Sequence, residues 1–435
     1  MSDQHDREET AGMALDWAVP EQRIATLDII RGAAVMGILA MNIIAFAMPV
    51  QAYFNPLAYG WDSAADLWSW LVSFILIDGR MRGLFSFLFG ASMLVILERA
   101  DAQGQPSARI HFMRMAWLLL FGLAHFYFIW WGDILSLYAP IGMLAWFFHH
   151  ERPRKLLLWG VLLVLAETLI MGSLAAYAVR TSAAAALPQA SAEALRAWHD
   201  LSAAFAVPAE SERAATLALY RGSYGGILAH RLTQEVTDPV MNLFIYGWET
   251  LGYMLFGMAA LKSGFLSGQW SNRSYGLVAA GGFLITTPLY ALLAWMLIRQ
   301  DFSVPALLTY SLFATTPLRP VMIAAFAALI ILATRGGGAL VERVAAAGRV
   351  AFTNYLATSL VMTSLFYGYG AGLFGTMSRA QLWLVVLPMW ALMLLWSRPW
   401  LERFRYGPFE WLWRSLARGA AQPMRIRRSG RGASG

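Results

Sequence analysis

Ten apolar runs, most of them long enough to cross a bilayer, punctuate the chain. They lie near residues 24–48, 80–98, 112–131, 134–149, 156–179, 240–261, 276–298, 317–334, 351–372 and 380–397. A hydrocarbon core about 30 Å thick needs about twenty helical residues, and lipid forces each segment to satisfy its own backbone hydrogen bonds. The pattern predicts an all-α polytopic integral membrane helix bundle of about ten transmembrane helices. An eleventh run, ADLWSWLVSFILI at 65–77, is too short to cross and ends in DGRMRG, so it reads as an interfacial or re-entrant helix.

Composition agrees: 58% of the 435 residues are hydrophobic and 14% charged, where soluble domains carry about 25% charged residues. Cysteine is absent, which removes disulfides, thiolate nucleophiles and Cys-based metal sites. No GxxxxGK loop, GxSxG elbow, HExxH helix or strand-linked GxGxxG occurs, so any chemistry is built from intramembrane residues, without a metal. The short basic tail RSLARGAAQPMRIRRSGRG suits anionic lipid better than nucleic acid.

Counting ten spans puts Arg99, Arg109, Arg114, Arg152, Arg154, Lys155, Lys262, Arg273, Arg335, Arg343, Arg349 and that tail on one side. The excess of Lys and Arg in cytoplasmic loops then predicts both termini in the cytoplasm. The first twenty residues lack a basic n-region and a long apolar core, so the first span is expected to serve as the insertion signal. The chain divides into a disordered N-terminal tail (1–22), an N-terminal membrane domain (23–179) and an extracytoplasmic helical segment (180–238). A C-terminal membrane domain (239–416) and a basic cytoplasmic tail (417–435) complete it.

Polar residues inside apolar runs are the candidates for function, because an Arg or Asp at a helix centre costs about 2.5–3.5 kcal/mol on insertion scales. Asp28, Arg31 and Asn42 share one face of the first span. Asp28 and Arg31 read either as an interfacial pair or as a ligand set for an anion, and Asn42 as interhelical glue or a site residue. Asp78, Arg80 and Arg82 flank the second span on the outer side, as anchors or as partners of acids. His125 lies well within a span, and Asp133 opens the next one. The pair reads as a structural histidine with an N-cap, or as a general base with its orienting acid. Glu249 lies about two turns into its span from the outside, while Arg349 and Asn354 lie near the cytoplasmic end, as Arg31 does. Ala33 and Gly37 form a small-residue face that permits a homodimer.

RIATLDIIRGAAVMGILAMN followed by AYFNPLAYG, LLLFGLAHFYFIWWGDILSLYAPIG, GRVAFTNYLATS, FYGYGAGLFG and WLERFRYGPFEWLWRSL together resemble the YeiB family of bacterial membrane proteins. That family is grouped by similarity with transmembrane acyltransferases, including heparan-alpha-glucosaminide N-acetyltransferase and the acyltransferase-3 proteins. The resemblance implies a multi-pass protein of the bacterial cytoplasmic (inner) membrane, among membrane lipids. It implies transfer of an acyl group, acetyl in the simplest case, from cytoplasmic acyl-CoA to an extracytoplasmic sugar or lipid. The acetyltransferase opening R-x-x-x-x-D-x-x-R-G is matched by Arg23, Asp28, Arg31 and Gly32, and its active-site asparagine by Asn42.

The acetyltransferase's essential histidine is not matched, since Tyr53 stands at that spacing. On the transferase reading His125 replaces it, with Asp133 and Asn42 as catalytic partners. Arg31, Asp28, Arg349 and Asn354 then hold the donor, and Asp78, Arg80, Arg82 and Glu249 face the acceptor. One tunnel would join the outer and inner sets. The alternative is a transporter or lipid-binding protein using the same polar seam without CoA chemistry.

Overall fold

The computed structural model describes residues 24–426. The expected disordered tail 1–22 and the end of the basic tail lie outside that range. Each of the ten apolar runs carries a helix: α1 (Ala25–Ala47), α2 (Arg80–Ala102), α3 (Ser107–Phe128), α4 (Leu135–Ala145), α5 (Pro153–Ala185), α6 (Asp238–Lys262), α7 (Asn272–Arg299), α8 (Arg319–Thr334), α9 (Ala351–Phe366) and α10 (Trp383–Leu401). Among the described residues, seven helical stretches are long and apolar enough to cross a membrane, taking Ala64–Ala102 as one. Of the remaining runs, α6 is long but carries Asp238, Glu249 and Lys262. The 16 residues of α9 rise only about 24 Å, and α4 has 11 residues.

The 65–77 run forms a helix, Ala64–Val72, and one wide turn, Ser73–Ile77, set off from α2. Asp78 (φ −59, ψ 129) and Gly79 (φ 71, ψ −24) have the angles of a type II turn, whose positive φ suits glycine. The turn redirects the chain and points Arg80 and Arg82 back into the bundle. Asp66 anchors the short helix, accepting from Ser63 N–H at 2.9 Å and from Ala380 N–H at 2.8 Å.

The two membrane halves interpenetrate. Helix α1 packs against Ala339–Arg349, α9 and α10, while α6 packs against α2, α4 and α5. The crossings are close because glycines meet backbone: a Cβ on Gly32 would collide with the Val344 carbonyl, and one on Gly348 with the Asp28 carbonyl. Gly37, on the face that the sequence offers to a second copy, packs on Met81 of the same chain.

Hydrogen bonds sort the loops into the same two ends that the arginine count separates. At one end the segment 180–238 caps the bundle. Asn55 donates to the Phe205 carbonyl (2.9 Å), Arg221 to Phe374 (2.7 Å), Tyr224 to Phe128 (2.9 Å) and Arg231 to Tyr127 (3.1 Å). At the other end Lys262 donates to the His149 and Glu151 carbonyls (2.6 and 2.9 Å), and Trp413 to the Arg114 carbonyl (2.8 Å).

The aromatic, basic segment near the C-terminus is more than an interfacial helix. In Pro408–Arg418, Glu410 accepts from Phe352 N–H (2.7 Å), Thr353 N–H (3.0 Å) and the Thr353 hydroxyl, capping the start of α9 from a distant helix. The chain then folds back, with Phe404 and Arg425 forming an antiparallel bridge, so the beginning of the basic tail is held against the bundle. Anionic side chains at a helix N-terminus satisfy otherwise orphaned N–H groups. Glu410→Ala is therefore expected to lower stability by about 1–2 kcal/mol. Thermal unfolding in detergent checks this, and an unchanged midpoint would rule out a stabilising cap.

Candidate functional site

His125 occupies the last turn of α3, and Asp133 sits five residues beyond the helix end. Gly132 between them is required by packing, since a Cβ there would enter the Trp130 ring. His125 Nδ1 lies 2.7 Å from Asp133 Oδ2. A carboxylate only accepts, so Nδ1 carries a proton towards it, and the tautomer this selects has its lone pair on Nε2. Asp133 Oδ1 accepts from Ser136 N–H at 2.7 Å, so the residue caps α4 and orients His125 together. Neither of the two sequence readings excludes the other.

The histidine is 1% exposed, and its Nε2 has no hydrogen-bond partner among the described residues. The Tyr355 ring is 5.1 Å away and that of Trp130 6.4 Å, measured between centroids. Tyr355 and Trp130 also line a small cavity with Asn42, Thr358 and Ser359. Its volume of about 10 Å³ holds roughly one water. His125, Asp133 and Asn42 are thus gathered into one neighbourhood. Val35, Ile38 and Leu39 of α1, between Arg31 and Asn42, line the same cavity.

The acceptor-side candidates form a second cluster. Glu249 of α6, fully buried, pairs with Arg82 of α2 and, at 3.0 Å, with Arg319 at the start of α8. Tyr253 donates to the same carboxylate at 3.0 Å, and Arg319 also donates to the Thr315 hydroxyl at 3.0 Å. Arg80 lies near Asp78 but forms no ion pair among the described residues. Its Nη1 donates to the Phe74 carbonyl at 2.6 Å and to that of Asp78, and its guanidinium stacks 3.6 Å above the Tyr290 ring. Tyr53 is surrounded by Asp78, Arg82, Tyr246 and Arg319.

Two members of this cluster, Arg319 and Glu167, escape the sequence reading, and Tyr53 enters it only by its spacing from Asn42. Arg319 looks like an anchor at a span's beginning. Glu167, 1% exposed, lies in the middle of α5 beside Glu249, Arg82 and Arg319. An acid at the centre of an apolar run was a usable signal for it. Tyr53 gives no signal from polarity.

The inner candidates divide. Arg31 donates to Asp28 at 2.9 Å and to the Ser92 hydroxyl at 2.6 Å, with the Gly348 carbonyl at 3.5 Å. Arg349 lines an open cleft of about 360 Å³ with Glu342, Arg398 and Glu402. Asn354 stays inside the bundle, its amide committed to the Ala347 carbonyl (3.1 Å), Ser397 (3.4 Å) and the Trp396 indole (2.9 Å). That is a structural tie away from the cleft. Among the described residues no three His, Asp or Glu side chains converge as a metal site requires.

An all-helical bundle with membrane-length apolar helices and two buried polar clusters defines a polytopic integral membrane protein. Residues 260–420 match the family described as protein of unknown function DUF418. Over 415 residues the chain is 34% identical to YeiB of Escherichia coli, covering 92% of this chain and 98% of that one. Over 427 residues it is 30% identical to YxaH of Bacillus subtilis, covering 94% and 98%. The chain belongs to the YeiB family of DUF418 membrane proteins. No solved structure matches it.

Removing one partner of a buried ion pair leaves an uncompensated charge, which costs about 3–5 kcal/mol. Glu249→Gln strands two guanidiniums at once and is expected to reach the upper part of that range. Thermal unfolding in detergent checks it, with Glu193→Gln on the exposed helix Ala192–Ser202 as the neutral control.

Proposed function

We propose that this protein transfers an acyl group from a cytoplasmic acyl-CoA to a hydroxyl or amine presented on the extracytoplasmic side. The observation that supports this most directly is the buried His125–Asp133 pair, with Nε2 left basic. Nε2 takes the proton of the acceptor hydroxyl or amine as its oxygen or nitrogen bonds to the acyl carbon. The C–S bond of the thioester breaks, and the proton passes to the leaving thiolate. Asp133 holds the imidazole in one tautomer and stabilises it when protonated. Asn42, beside the small cavity, supplies an amide donor for the developing oxyanion. Arg31, Arg349 and the cleft at the opposite end supply cationic groups for the donor phosphates. The resemblance to transmembrane acyltransferases supports the same reaction class.

The chain has no cysteine, so thiol release from acetyl-CoA is measurable in proteoliposomes without background from the protein. Wild type should release thiol with an outer-face amine or hydroxyl acceptor present. His125→Ala should abolish it, and Asp133→Asn should lower it by about 10²–10⁴-fold. A folded wild-type protein that releases no thiol from any acyl-CoA, yet moves a solute across the vesicle, would replace this reading with transport along the same seam.

A further inference from the structure

The Arg80–Arg82–Arg319 cluster offers more hydrogen-bond donors than the groups around it accept. Glu249 serves both Arg82 and Arg319, so one carboxylate faces two guanidiniums. Arg80 is 2% exposed and forms no ion pair among the described residues. Glu167 is the other buried acid on the cluster; it forms no ion pair either, and its Oε2 has no hydrogen-bond partner. Asp78 is a third acid beside Arg80 and Tyr53, so what the cluster leaves over is hydrogen-bond donors.

The unused donors have a definite geometry. Arg80 spends Nη1 on two backbone carbonyls, while Nε and Nη2 have no acceptor among the described residues. Nε and Nη2 form the side-on edge of a guanidinium, the two-pronged fork that fits two oxygens of one phosphate or carboxylate. Arg82 Nη1 is likewise without an acceptor. Arg319 lies close to the neighbouring Gly79, where a Cβ would stand 3.1 Å from its Nε. Tyr53 and Tyr246 border the same charges.

The geometry points to a phosphate-binding site here, with the Arg80 fork as its main bidentate donor and Arg82 Nη1 as a further donor. A phosphate offers a third oxygen to a further donor, whereas both oxygens of a carboxylate are taken by the fork. The phosphate is either free or the headgroup of an outer-leaflet phospholipid. This site stands independently of whether His125 transfers an acyl group.

Wild-type protein in phosphatidylcholine nanodiscs is titrated with inorganic phosphate, with chloride as the control, and binding is read as a thermal shift. In parallel, protein from phosphatidylglycerol nanodiscs is examined by native mass spectrometry for a retained lipid. Stabilisation by phosphate identifies a free-phosphate site, and one retained phosphatidylglycerol without phosphate stabilisation identifies a headgroup site. In either case Arg80→Lys, which keeps the charge and loses the fork, should weaken binding at least tenfold. Arg196→Gln, on an exposed helix, should leave it unchanged. Absence of both signals in wild type, or Arg80→Lys binding as tightly as wild type, overturns the site. If the Arg80 variant does not fold, phenylglyoxal labelling of wild type decides. Ligand should slow labelling at Arg80 relative to Arg196, and equal labelling overturns the proposal.

Discussion

The fully buried Glu249 carboxylate, shared between Arg82 and Arg319, is the interaction on which the outer half of the bundle depends. It ties α2, α6 and α8 together at a depth where an unpaired charge is disfavoured by several kcal/mol. Local geometry nearby serves the same end. The wide turn at Ser73–Ile77 and the left-handed Gly79 turn the chain so that Arg80 and Arg82 enter the bundle. Gly79 also leaves room for Arg319, because any side chain there would press on its guanidinium. The two arginines, on the side that the loop charges would assign to the outside, thereby meet partners within the protein.

The two clusters are neighbours through α4. Asp133, bound to His125, caps that helix through Ser136, and the Ile134 N–H donates to the Tyr355 hydroxyl at 3.2 Å. One turn along, the Tyr138 hydroxyl lies 2.7 Å from the Ser86 hydroxyl and donates to the Arg82 carbonyl at 3.1 Å. The start of α4 therefore sets the position of the histidine on one side and borders the arginine-bearing helix on the other. Any displacement of this short helix acts on both clusters together, and the capping segment bonded to Tyr127 and Phe128 lies directly beyond them.

Much of this was legible in the sequence because lipid is a strict solvent. Apolar runs located the ten helices, loop arginines separated the two ends, and rarity in a membrane singled out His125, Asp133, Arg82 and Glu249. What escaped were partners. Periodicity tells which residues share a face, and it does not tell which helix that face meets. Arg319 resembles an ordinary anchor until Glu249 is found beside it, and Glu410 resembles part of an interfacial helix until it reaches the first turn of α9. The small-residue face of α1 was legible as close packing, but its partner is Met81 of the same chain. Asn354 drew notice for its polarity and proves to be a tie between backbone, serine and indole.

Tyr53 bears on the transferase reading through where it sits. The helix Gln51–Phe54 lies outside the spans, and Tyr53 faces Arg82 and Arg319 with Asp78 as the nearby acid. An imidazole there would meet the Asp78 carboxylate and two guanidiniums, whose effects on its protonated form oppose each other. His125 meets a buried carboxylate, which supplies both orientation and charge stabilisation. On the transferase reading the base is His125, since this chain has tyrosine at position 53.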